Sequence, residues 1–158
     1  MIAFRSRQHP GDAPAALVYA RALSGPLAWS MTGVMIAALV SVLTEQDPLP
    51  WLLWVVPVVY ALTSAWTVYD LRRTPAELVL DGPRGGLRSA WDAAGAPKPL
   101  LLRPVYTPRR TLQGVDVPIG RTLHSFSPLD WPRFEELEAA VFASAEASQS
   151  EREARATP

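Results

Sequence analysis

The sequence contains no cysteine and no asparagine. The first absence excludes disulfide bonds and thiolate metal sites, and the second excludes N-linked glycosylation. The formal net charge is zero, so bulk charge predicts no nucleic-acid partner. Lysine occurs once, whereas alanine, arginine, proline and leucine are abundant, a bias that is typical of a GC-rich bacterial genome.

Charge is also absent from two long apolar segments, residues 27–44 and 51–69. At about 1.5 Å per residue, each would span about 27–28 Å as a helix, close to a hydrocarbon core of roughly 30 Å. Only residues 45–50 separate them, so the pattern predicts a two-helix transmembrane hairpin over residues 26–70. The alternative, two core helices of a soluble protein, is disfavoured because the remaining chain is too short to cover them.

The distribution of arginine predicts the orientation of this hairpin. Three arginines precede the first segment, and Arg72 and Arg73 directly follow the second, whereas the loop carries only Glu45 and Asp47. By the positive-inside rule, both termini are expected in the cytoplasm and the loop outside. The chain is therefore predicted to be a multi-pass protein of the bacterial inner membrane.

Residues 1–25 are predicted to form an N-terminal arm. Residues 13–24 favour a helix, and Gly25 with Pro26 is predicted to end it. A break there would leave an interfacial helix lying on the membrane. The alternative is that residues 13–24 simply extend the first transmembrane helix.

Small residues recur every four positions within the hairpin. In lipid this spacing lets helix backbones approach closely, so it predicts where the two helices touch. The predicted helix-packing residues are Gly33, Ala37 and Ser41 on the first helix and Ala61 and Ala65 on the second. Trp54 and Tyr60 lie deeper than the aromatic residues near the helix ends and are candidate contacts with a partner helix.

Residues 71–143 are predicted to form a small cytoplasmic α+β domain. Apolar runs bounded by turn residues predict strands at 77–81, 87–91, 100–106, 111–119 and 121–127, arranged as a short antiparallel β-meander. A C-terminal helix is predicted to start near Asp130 and to cover the sheet with one face, formed by Phe134, Leu137, Ala140, Val141 and Ser144. Residues 144–158 have little apolar bulk and are predicted to be disordered.

The sequence offers no catalytic or metal-binding constellation. His9 and His124 are the only histidines and lie outside the apolar segments, so no intramembrane imidazole can ligate a haem. The glycine-rich residues 82–86 lack the lysine of a phosphate-binding loop. No ionisable residue lies within either segment, which argues against a proton relay or a transporter. We therefore expect no enzymatic activity, no cofactor and no small-molecule substrate.

Five cations lie between residues 98 and 121, where Asp116 is the only acid. At a membrane surface each would contribute roughly 1 kcal/mol against anionic lipid, which makes them candidate headgroup-binding residues. They are Lys98, Arg103, Arg109, Arg110 and Arg121. The alternative is ordinary strand-edge charge that keeps a small sheet soluble.

Three features together suggest a family. They are the short hairpin, the strand sequence Glu-Leu-Val-Leu-Asp at 77–81, and the sequence Phe-Ser-Pro-Leu-Asp-Trp-Pro-Arg-Phe at 126–134. The layout resembles small bacterial two-helix membrane proteins with a pleckstrin-homology-like cytoplasmic module, including the YcxB-like group. The resemblance implies a non-enzymatic binding or scaffold module that associates with membrane lipid, other membrane proteins or a second copy. The alternative function is an accessory or assembly subunit of a larger energy-transducing membrane complex.

Overall fold

The computed structural model describes residues 1–95 and 99–156. Within these ranges the chain forms four helices and seven strands. In chain order they are β1 (Ile2–Arg5), α1 (Ala15–Leu43), α2 (Leu49–Arg73), β2 (Pro75–Asp81), β3 (Arg84–Ser89), α3 (Ala90–Ala93), β4 (Arg103–Pro104), β5 (Arg109–Thr111), β6 (Gly114–Ile119), β7 (Thr122–Phe126) and α4 (Phe134–Ala156).

Helices α1 and α2 pack against each other as a hairpin. Each is long and apolar enough to cross a membrane. Only 6% of the most apolar stretch of α1 and 11% of that of α2 is buried within the chain. A core helix of a soluble protein would be mostly buried, so these two helices do not supply the core of the folded domain.

Helix α1 is continuous across Gly25 and Pro26, with Pro26 inside it. The predicted break is therefore wrong, and residues 15–24 extend the first helix. Proline removes one helical hydrogen bond, and tertiary contacts of the preceding turns offset that loss. Val18 and Tyr19, for example, pack against a small apolar cluster that contains Leu71.

Strand β1 lies within the predicted N-terminal arm, residues 1–25, and ties it to the domain. It pairs antiparallel with β2, with Phe4 opposite Leu78, and Phe4 belongs to the main core. A strand of four residues is too short to show a clear alternating pattern in the sequence. Its stability comes from the ladder with β2 and from the burial of one side chain. Since β1 precedes the hairpin and β2 follows it, both ends of the hairpin meet at the same domain.

The strands form two antiparallel sheets, with the orders β1-β2-β3-β4 and β5-β6-β7. A bridge between Val105 and Ile119 connects the segment after β4 to β6. The predicted antiparallel meander is confirmed. One of its predicted strands, however, is divided into two, which the sequence pattern did not indicate. The strand expected at 111–119 is interrupted by a tight turn at 112–113, after which Gly114 adopts φ 151°, a conformation that favours glycine.

Helix α4 covers the sheets with the face that the sequence predicts. Leu137 and Val141 are fully buried, and Phe134 packs against the same core. The largest fully buried side chains are Trp131, Phe126, Leu78, Leu137, Val105, Val115, Val117 and Val141. The helix begins at Phe134, later than expected, because Asp130 lies in a turn and its carbonyl accepts the Arg7 N–H at 2.8 Å.

Helix α4 also continues to Ala156, which corrects the predicted disorder for the described part of residues 144–158. Ser144, Ala145 and Ser148 are buried, so small side chains make close contacts where the composition shows little apolar bulk. Beyond them, the Arg152 guanidinium lies 4.2 Å from the ring centroid of Tyr106. These contacts depend on the folded sheet, and composition alone does not reveal them.

Candidate functional site

The residues predicted to join the two hairpin helices lie elsewhere. Gly33, Ala37, Ala61 and Ala65 are exposed, and Ser41 is half-buried. A Cβ added to Gly33 would meet no atom within 4 Å. The four-residue spacing therefore does not mark the contact between α1 and α2.

The contact between α1 and α2 is built instead from larger and β-branched side chains. Val34 on α1 and Thr63 and Thr67 on α2 are buried. The Thr63 hydroxyl lies 3.4 Å from the Ser30 hydroxyl across the helices, and the Thr67 hydroxyl donates to the Thr63 carbonyl at 2.8 Å. Hydroxyl residues within an apolar segment commonly face a neighbouring helix, and that signal could have identified this contact.

Trp54 and Tyr60, the candidate partner contacts, lie on the outside of the hairpin. Trp54 is 76% exposed and Tyr60 is 51% exposed. Both side chains therefore expose surface that a partner could contact.

The candidate headgroup-binding cations are distributed over several elements, and Lys98 lies outside the described residues. Arg110 on β5 forms an ion pair with Glu138 on α4 at 2.6 Å, and its guanidinium lies 5.4 Å from the Phe142 ring centroid. Arg109 stands opposite Asp116 in the ladder between β5 and β6. The two cations of β5 therefore each have an acidic neighbour.

Arg103 and Arg121 occupy a second location, where β4 meets the turn between β6 and β7. The side chain of Arg103 packs against Gly120, and Arg121 follows in the same turn. Both arginines are exposed. The described cations thus fall into two groups, and the charge run in the sequence does not correspond to one site.

An open groove of about 850 Å³ lies between the β5–β6 turn and the start of α4. Leu112 and Leu129 line it, and both side chains are exposed to solvent. Phe134 and Glu138 line it from α4, and Arg110 lines it from β5. The groove offers apolar surface with one ion pair at its edge, a composition suited to a peptide or protein surface.

A second cavity, of about 410 Å³, lies where α2 meets the domain. Arg72 and Arg73 line it from the last turn of α2, Ser89 and Asp92 from the start of α3, and residues 123–126 from β7. Burial lowers the pKa of His124 in this cavity from its ordinary value of 6.5, so the imidazole is neutral at pH 7. The sequence does not reveal this cavity because its residues come from three distant segments of the chain.

No group of three or more histidine, aspartate or glutamate side chains that could hold a metal ion occurs in the described residues. No family model, curated protein or solved structure matches the chain.

Proposed function

We propose that this chain is a non-enzymatic binding or scaffold module held at the cytoplasmic face of a bacterial inner membrane by its two-helix hairpin. The observation that carries the proposal is the pairing of β1 with β2 across the hairpin. The domain uses chain from both sides of the hairpin, so it cannot swing away from the helix ends. A module fixed in this way presents one defined surface beside the membrane.

The junction between hairpin and domain supports this interpretation. Only Thr74 separates α2 from β2, and its carbonyl accepts the Ala90 N–H of α3 at 2.8 Å. Tyr19 of α1 packs edge-on against Trp91 of α3, with ring centroids 6.4 Å apart. Both helices therefore contact α3, and the first turns of α1 belong to the domain side of the hairpin.

The strand arrangement supports a pleckstrin-homology-like module. The described residues form a four-stranded and a three-stranded antiparallel sheet in meander order, followed by a long terminal helix. Such modules bind proteins or lipids and carry no chemistry of their own. The open groove beside Leu112 and Leu129 is the surface that we assign to a partner protein.

Site-specific photo-crosslinking of the full chain in native membranes tests this function. A photo-reactive residue at Leu112 should give a discrete adduct with one partner, and Leu129→Gln should abolish that adduct. The matched control is the same probe at Arg84, an exposed residue in the other sheet. An absent adduct at position 112, or the same adducts from both positions, would refute the assignment of the groove.

An accessory subunit of an energy-transducing membrane complex is the second candidate. The exposed rings of Trp54 and Tyr60 on the outside of the hairpin favour it. A photo-reactive residue at Tyr60 would then capture a membrane subunit of that complex, while the probe at Leu112 would remain unreacted. The two positions together distinguish a partner of the domain from a partner of the hairpin.

A further inference from the structure

The cavity between the end of α2 and the domain combines opposite charges in a confined space. Arg72 and Arg73 supply two guanidinium groups, and Asp92 supplies one carboxylate. The described residues form no ion pair with either arginine, and Arg73 lies 4.5 Å from the Tyr69 ring centroid. With His124 neutral, the lining carries one net positive charge.

The position of this cavity along α2 is as informative as its charge. Arg72 and Arg73 are the first cations after the apolar segment that ends at residue 69. In a membrane-spanning helix, such residues lie at the level of the lipid headgroups. The cavity would therefore open at the depth where phospholipid phosphates lie.

Two features of the cavity lining match the two polar parts of a phospholipid headgroup, its phosphate and its donor group. Arginine binds phosphate oxygens with paired, charge-assisted hydrogen bonds. The Asp92 carboxylate accepts the Ser89 hydroxyl at 2.8 Å, and a carboxylate has further lone pairs for another donor. A donor of that kind is the ammonium of an ethanolamine headgroup or a hydroxyl of a glycerol headgroup, whereas choline has neither N–H nor O–H.

We propose that this cavity binds one phospholipid headgroup that carries an N–H or O–H donor, with its phosphate on Arg72 and Arg73 and its donor group on Asp92. The proposal rests on the membrane placement given above as the proposed function. It assigns lipid recognition to the end of α2 and not to the cations of residues 98–121. The bound lipid would hold the domain to the membrane surface in addition to its connections with α1 and α2.

Native mass spectrometry of the full chain in detergent tests the site with phosphatidylethanolamine, phosphatidylglycerol and phosphatidylcholine added one at a time. One ethanolamine or glycerol lipid should be retained, and the choline lipid should not. Arg72→Lys with Arg73→Lys keeps the positive charge that orients the hairpin but removes the paired hydrogen bonds, so retention should fall roughly tenfold. Asp92→Ala should remove the discrimination against choline, and Arg103→Gln with Arg121→Gln is the matched control that should change nothing.

Three results would overturn the proposal. Equal retention of all three lipids by the unmodified chain would indicate only a general lipid annulus. Unchanged retention in the double lysine variant would remove the arginine pair from the site. Tighter binding of inorganic phosphate than of any of the three lipids would identify free phosphate as the ligand. A chain that alkaline carbonate strips from membranes would refute the proposed function itself, whereas an integral chain without selective retention would refute only this site.

Discussion

Phe4→Ala is the sharpest test of how the domain is assembled. Phe4 is 5% exposed, lies in the main core and is the one buried apolar side chain that β1 contributes. Truncation of a buried phenylalanine typically costs about 3–5 kcal/mol through lost transfer energy and the cavity left behind. Because β1 has only one neighbouring strand, it can shift to fill part of that cavity, so we expect a value near the lower end.

Hydrogen–deuterium exchange of the full chain in detergent measures this effect where β1 pairs with β2. A loss of about 3 kcal/mol should accelerate exchange of the Leu78 and Leu80 amides by roughly 100-fold, because about 1.4 kcal/mol corresponds to a tenfold change in the opening equilibrium. The matched control is Ile2→Ala on the same strand, where the side chain is 56% exposed and little should change. Equal exchange rates in the two variants would refute the reasoning, because β1 would then not be anchored by Phe4.

Three further predictions concern the core, the pH dependence and the hairpin. Glu77→Ala removes a buried carboxylate that accepts a hydrogen bond from Arg88 at 2.6 Å. Loss of one partner of a buried pair costs about 3–5 kcal/mol, so the melting temperature of the domain should fall clearly. An unchanged melting temperature would contradict this. Because burial lowers the pKa of His124 in the folded chain, the unfolded chain takes up the proton first, so this residue's contribution to stability is complete above pH 6.5 and declines as the pH falls below it. His124→Gln should therefore flatten the acid limb of stability against pH, and an unaltered limb would place the titration elsewhere. Gly33→Leu should leave the detergent stability of the hairpin unchanged, whereas Thr63→Phe should cost about 1–3 kcal/mol by overpacking, and equal losses would return the helix contact to the small residues.

The sequence predicts those elements whose stability is local or whose pattern is long. Two uncharged segments of membrane length identify α1 and α2 without any knowledge of their neighbours. The apolar face of α4 follows from its helical spacing, and Leu137 and Val141 are buried as expected. In these cases a single element carries the whole signal.

The failed predictions concern features that a second element creates. β1 is a strand only because β2 lies beside it, and the last turns of α4 are ordered against a sheet that composition does not show. The rule that Gly25 and Pro26 stop a helix is a statement about an isolated chain, and contacts of Val18 and Tyr19 offset it. The cavity that Arg72, Asp92 and His124 share could not be found for the same reason, since three separate elements place them together.

The insertion of the hairpin between β1 and β2 links domain folding to membrane insertion, if the helices cross the membrane as proposed. β1 is synthesised before the hairpin and finds its partner only after both helices have been made. When both helices span, the two strands emerge on the same side and can pair as Phe4 and Leu78 do. When only one spans, the strands lie on opposite sides, and the sheet loses an edge strand together with a buried phenylalanine. Pairing of β1 with β2 therefore requires that both helices span or that neither does, so it excludes a chain with only one inserted helix independently of the arginine distribution.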